Sequence, residues 1–124
     1  MEIEIVNGPG AAAAKIIMEA GETATAEAGA MIGMSGDMSI TTTTHKKKSG
    51  SILKSLKRML GGESFFMNHY DAGPAGGDVI VAATMPGDMG VYEVSEGDNI
   101  VIQGGSFVAS SHDVNIDMNW QGFK

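Results

Sequence analysis

Apolar and polar residues alternate in short runs along most of this chain, and glycines separate the runs. Successive side chains of a β-strand point to opposite faces, so alternation with a period of two is typical of half-buried strands. Short strands at fairly even spacing, with turn signals between them, predict an all-β antiparallel sandwich or barrel. The strands that this pattern predicts are Glu2–Val6, Lys15–Glu19, Thr23–Glu27, Ala30–Met34, Asp37–Thr43, Ser64–Tyr70, Asp78–Thr84, Gly90–Val94, Asn99–Gln103, Ser106–Ser110 and Asp113–Asn119.

Residues 51–61 follow a different period and predict one short amphipathic helix. Their apolar residues recur at intervals of three and four, which places them on one helical face. Ser51 can cap the N-terminus, and Gly61 can end the helix. Because roughly three turns are only marginally stable alone, we expect the apolar face to pack against another element. That face consists of Ile52, Leu53, Leu56, Met59 and Leu60, and the opposite face carries Lys54, Lys57 and Arg58.

A shift of 76 residues aligns the chain with itself. It lays Gly21 on Gly97, Gly29 on Gly105 and Ile40 on Ile116. Coinciding turn glycines and apolar positions indicate an internal repeat. We therefore interpret residues 1–124 as a single β-sandwich domain, with repeat unit one at about 1–84 and a partial unit two at about 85–124.

The second unit of this repeat is incomplete. Lys124 falls opposite Lys48, so residues 52–58 and the strand that contains Phe65 and Phe66 have no counterpart. A sheet that stops at this point has unpaired edges, which folded proteins normally cover. We expect either a second copy, in a homo-oligomer, or a C-terminal continuation to cover them.

Charge is distributed unevenly along the chain. Of the eight Lys and Arg residues, six lie between Lys46 and Arg58, although the net charge is −7. No Asp or Glu occurs from Met38 to Gly62, so this basic segment carries about +6 and the remainder about −13. Such a separation is typical of a contact surface. The predicted interaction surface comprises Lys46, Lys47, Lys48, Lys54, Lys57, Arg58, Phe65 and Phe66.

Three interpretations of the basic segment stay open at this stage. It is a solvated face, a surface for a protein partner that docks through helix 51–61, or a contact for nucleic acid or anionic membrane. The acidic pI of about 4.7 disfavours nucleic acid, as does the lack of aromatic residues among the charges. The helix also lacks an aromatic membrane anchor on its apolar face. Contact with a protein is the favoured of the two binding interpretations.

Catalytic and metal-binding patterns are weak. The chain has no cysteine, and its three histidines lack the spacing of a zinc site. His69 with Asp71, or His112 with Asp113, would bind a metal only if folding joined them, and satisfied surface residues are the simpler interpretation. Ser35 does not lie in the motif of a nucleophilic serine. We expect no catalytic residue, no metal and no cofactor, and hence a protein that is not an enzyme.

The N-terminus begins with strand-like alternation at Glu2–Val6 and lacks the pattern of a signal peptide. No apolar run approaches the roughly 20 residues of a membrane span. These features predict a cytoplasmic protein.

Four strings carry a family resemblance: Gly21–Met31, Leu56–Phe66, Met85–Asp88 and Gly105–Ser110. Together they resemble the altered inheritance of mitochondria twenty-four-like family, a former domain of unknown function. Its prokaryotic members belong to the superfamily similar to tryptophan RNA-binding attenuation protein. The resemblance implies a β-sandwich of double-stranded β-helix (jelly-roll-like) type, with no established enzymatic activity and no agreed ligand-binding residue. Eukaryotic relatives are associated with mitochondrial inner-membrane organisation, and members usually continue beyond the position of Trp120.

The sequence therefore predicts an all-β, non-enzymatic, self-assembling or scaffold protein. Its copies are expected to associate through exposed sheet edges and helix 51–61. The alternative is an RNA- or anionic-lipid-binding module that uses the segment from Lys46 to Arg58.

Overall fold

A computed structural model of the chain describes residues 1–44 and 66–116. These residues form eight β-strands and one short 3₁₀ turn, η1, at Gly104–Ser106. The strands are β1 (Glu2–Val6), β2 (Ala13–Met18), β3 (Thr23–Glu27), β4 (Met31–Met34), β5 (Met38–Thr44), β6 (Phe66–Ala72), β7 (Gly77–Val81) and β8 (Ala109–Ser111).

The strands form two four-stranded antiparallel sheets. The first sheet has the order β1-β2-β7-β4, and the second has the order β5-β6-β3-β8. Every strand pair in both sheets is antiparallel. The prediction of an all-β antiparallel fold is therefore confirmed. Among the described strands, the edges are β1 and β4 in the first sheet, and β5 and β8 in the second.

The core draws on both sheets. Tyr70 of β6 and Val79 and Val81 of β7 are fully buried. Ala24 pairs directly with Tyr70, so a small side chain leaves room for the large ring beside it. The polar neighbours Thr23 and Thr25 take the opposite face of β3, as alternation requires. This alternation fixes which face of the second sheet is buried and which carries polar side chains.

Two turns that the 76-residue shift superimposes have the same geometry. The amide of Glu22 donates to the carbonyl of Glu19 at 3.1 Å, and the amide of Asp98 donates to the carbonyl of Ser95 at 2.9 Å. The glycine of each turn has a positive φ, 80° at Gly21 and 87° at the second position. The strands β2 and β3 flank the first turn, whereas the second turn has no strand on either side. The two repeat units stay a prediction.

Two of the predicted strands are wrong. Gly90–Val94 and Asn99–Gln103 form no ladder in the part of the chain that the structure describes. Alternation shows that a segment can serve as a strand, but a ladder also needs a neighbour with free backbone groups. Strand β7, the nearest preceding strand, already pairs with β2 and β4. Residues 90–103 pair with no strand in the described part of the chain.

The other predictions differ mainly at strand ends. The predicted strand Ser106–Ser110 begins only at Ala109, because Ser106 belongs to η1. Residues 113–116 are not in a strand, and residues 117–119 lie outside the described residues. The predicted helix 51–61 lies outside them too.

Candidate interaction surface

Most of the predicted interaction surface lies outside the described residues. This holds for Lys46, Lys47, Lys48, Lys54, Lys57, Arg58 and Phe65. Only Phe66 is described: it begins β6, pairs with Thr44 of β5, and is 40 % exposed. Its carbonyl accepts a hydrogen bond from the amide of Ala28 at 3.0 Å. The end of the β5–β6 pair at which Thr44 and Phe66 lie is therefore next to the turn that follows β3.

A second surface was not identified from the sequence. We call residues 90–103 the apolar arm. Tyr92 is 65 % exposed and Val101 is 75 % exposed, and their apolar neighbours in the arm are also exposed. Isolated exposed apolar residues are common, but a contiguous group marks a contact site. The exposed apolar residues of the arm are Val91, Tyr92, Val94, Ile100, Val101 and Ile102.

The arm is acidic as well as apolar. It contains Glu93, Glu96 and Asp98 and no Lys or Arg. Over all described residues the sequence has thirteen Asp and Glu but one Lys, at position 15. The segment from Lys46 to Arg58 is thus the main source of positive charge for a chain whose described surface is strongly negative.

A small cleft lies where the arm joins the two sheets. Its volume is about 220 Å³, and its lining comes from three parts of the chain: Glu27 and Ala30, residues 82–85, and residues 105–108. Burial raises the pKa of the Glu27 carboxyl above its ordinary value. Among the described residues of the lining, Glu27 is the one ionisable group, and the others are mainly apolar.

The outer face of the second sheet carries a hydrogen-bonded polar group centred on His69. Its Nδ1 lies 2.9 Å from the hydroxyl of Thr25, and its Nε2 lies 2.8 Å from the hydroxyl of Thr43. A threonine hydroxyl can donate or accept, so both contacts suit either tautomer of the ring. The His112 ring stands edge-on at a centroid distance of 5.9 Å.

This polar group supports a structural role more directly than a catalytic one. A hydroxyl, a histidine and a second hydroxyl are aligned, but catalytic histidines are usually oriented by a group that stabilises the imidazolium, such as a carboxylate. Asp71 instead accepts a hydrogen bond from Thr23 at 2.5 Å. Within residues 1–44 and 66–116, no three His, Asp or Glu side chains are grouped as a metal site would require. The fold joins His69 to His112, not to a set of carboxylates.

A comparison with protein-family models shows to which family the chain belongs. The model described as mitochondrial biogenesis AIM24 matches residues 3–124, which is nearly the whole chain. The chain belongs to the AIM24 family. The resemblance carried by the four sequence strings is thereby confirmed.

Membership of the AIM24 family links the chain to mitochondrial biogenesis by description, and the cytoplasmic location stays a prediction. No curated protein and no solved structure matches the chain significantly. Among the helices of the described residues, none is long and apolar enough to cross a membrane.

Proposed function

We propose that this AIM24-family chain is a non-enzymatic, self-assembling protein, and that its copies associate through the apolar arm. The observation that carries the proposal is the exposure of Tyr92, Val101 and their apolar neighbours on a segment with the alternation of a strand but without a ladder. Burial of apolar surface is the main favourable term in protein association.

Association of two copies also satisfies the backbone of the arm. Unpaired N–H and C=O groups along an extended segment are a template for pairing with another chain. In a two-fold dimer the same arm of each copy contributes, so one segment can supply both sides of the contact. The edge strand β8 offers further backbone groups for the same purpose.

The finer fold assignment supports this proposal. We infer that the two sheets pack as a β-sandwich of double-stranded β-helix type, related to the superfamily similar to tryptophan RNA-binding attenuation protein. Residues of β2 and β7 from the first sheet share one buried cluster with residues of β3 and β6 from the second.

Measurement of the molar mass in solution tests self-assembly. We expect a defined oligomer at micromolar concentration in light scattering coupled to size exclusion. A stable monomer over the whole concentration range contradicts the proposal. Addition of urea below the unfolding range serves as a control, because it weakens apolar association while the fold persists.

The alternative function is binding of RNA or anionic lipid through the segment from Lys46 to Arg58. The uneven charge favours it: positive charge is concentrated in the sequence between β5 and β6. Near an anionic membrane each Lys or Arg adds about 1 kcal/mol. Replacement of Lys46, Lys47 and Lys48 by Glu should then abolish binding to RNA or anionic vesicles at low salt. Unchanged binding rejects this alternative.

A further inference from the structure

The cleft beside Glu27 is held open by backbone hydrogen bonds between its three walls. The amide of Glu27 donates to the carbonyl of Val108 at 3.0 Å, and the amide of Ala30 donates to the carbonyl of Glu27 at 3.0 Å. The amide of Ala82 in turn donates to the carbonyl of Ala30 at 2.9 Å. A cleft fixed in this way exists before a ligand arrives, which lowers the cost of binding.

No described residue pairs with the side chain of Glu27, which belongs to the lining of this cleft. Both backbone groups of Glu27 are engaged, yet its side chain has no hydrogen-bond or ion-pair partner among residues 1–44 and 66–116. Burial raises its pKa, because the ionised form is partly removed from solvent. A cation at this position would restore the favourable interaction that the carboxylate lacks.

The walls favour an organic cation over a metal ion or an anion. Ala82, Ala83, Met85 and Phe107 present mainly carbon to the cleft, which suits an alkyl chain. The face of an aromatic ring attracts cations and disfavours anions. A hard metal ion needs several oxygen ligands, whereas among the described residues of the lining only Glu27 carries a carboxylate. The volume of about 220 Å³ is below that of typical sites for drug-sized ligands, so the ligand is short.

We propose that this cleft binds a primary alkylammonium group of about four or five carbons, with its nitrogen at the Glu27 carboxylate and its alkyl chain against Met85 and Phe107. This chemistry comes either from a free alkylamine or from a lysine side chain of another polypeptide. The inference concerns Glu27 and the cleft walls, so it does not depend on association through the apolar arm.

Titration of the ¹⁵N-labelled full chain with n-pentylamine at pH 7 tests the site. We expect saturable shifts of the amide signals of Ala30, Ala82 and Phe107. Glu27→Gln keeps the shape of the side chain and removes its charge, so it should weaken binding by about tenfold or more. Glu4→Gln, which removes a charge from an exposed glutamate on β1, is the matched control and should leave binding unchanged.

Two further ligands complete the test. n-Pentanol has the same chain without the charge and should bind about tenfold more weakly than n-pentylamine, or not at all. Nα-acetyl-lysine N-methylamide identifies the source: equal affinity supports a lysine side chain, and clearly weaker affinity supports a free amine. The proposal is overturned if n-pentylamine gives no saturable shift, if n-pentanol binds equally well, or if Glu27→Gln binds the amine like the native chain.

Discussion

Replacement of Tyr92 by serine should weaken self-association strongly. Tyr92 is 65 % exposed, and an aromatic side chain offers about 150–250 Å² of surface. Roughly 100–160 Å² is therefore available for a second copy to cover. At about 25 cal/mol per Å², that area corresponds to about 2–4 kcal/mol of association free energy, as an upper bound.

The dissociation constant of the oligomer should rise accordingly. A loss of about 2 kcal/mol raises it by roughly 30-fold, since each 1.4 kcal/mol is tenfold. In a two-fold dimer both copies carry the substitution, so the effect is larger if both tyrosines are buried at the contact. Val101→Ser, at a position 75 % exposed, should act in the same direction with about 1–2 kcal/mol.

Sedimentation equilibrium at several loading concentrations measures this constant. Ile32→Ser is a matched control, because Ile32 is 64 % exposed but lies on edge strand β4 and not in the arm. Its dissociation constant should stay close to that of the native chain. Equal weakening by Ile32→Ser and Tyr92→Ser, or no weakening by either, would refute the assignment of the contact to the arm. Unchanged thermal unfolding of the monomeric variants shows that the fold is retained.

Three further predictions concern the fold and its titration. Val79→Ala removes two methyl groups from a fully buried position and should lower the free energy of unfolding by about 2–3 kcal/mol, measured by urea denaturation. Thr25→Val removes the hydroxyl that contacts Nδ1 of His69 and should lower the free energy of unfolding by about 1–2 kcal/mol. Thr43→Val, at an exposed position, should lower it by less. Burial raises the pKa of Glu27 in the folded state, so its contribution to stability is fully present below its ordinary value near 4.5 and is lost as pH rises through the folded pKa. The free energy of unfolding should therefore fall less between pH 4 and pH 7 in Glu27→Gln than in the native chain. Because solvent screens this partly exposed group, the difference should be less than about 1 kcal/mol. An equal fall in both proteins contradicts burial of Glu27 as the cause.

The alternation of apolar and polar residues predicted most of the strands correctly. It predicted strands wrongly where a segment with the right pattern has no described strand to pair with. Glu2–Val6 and Thr23–Glu27 have the predicted bounds because their alternation is regular and glycine or turn residues stop them. Residues 90–103 show similar alternation, yet they form no strand in the described part of the chain. The local sequence shows that a segment prefers a strand conformation, but it does not show whether another strand is in place to pair with it.

The candidate sites were less accessible to prediction from sequence. The cleft combines Glu27, residues 82–85 and residues 105–108, which become neighbours only through strand order and three backbone hydrogen bonds. His69 likewise meets Thr25 and Thr43 because β6 lies between β3 and β5. The apolar arm was missed, because the alternation of residues 90–103 predicted two paired strands there. The basic segment was evident from charge alone, but charge does not identify a partner.

Electrostatics and apolar burial act in opposite directions when two copies approach through their arms. Each arm carries Glu93, Glu96 and Asp98, so contact between like arms brings like charges together. Exposed charges are screened beyond about 10 Å at 0.1 M salt, and each such pair contributes little. The exposed area of Tyr92 alone corresponds to a larger energy, and Val101 adds to it. The acidic residues then limit which surfaces can meet, because they oppose any contact that does not bury the apolar side chains beside them. A segment of about +6 on the same chain offers compensating charge to such an assembly.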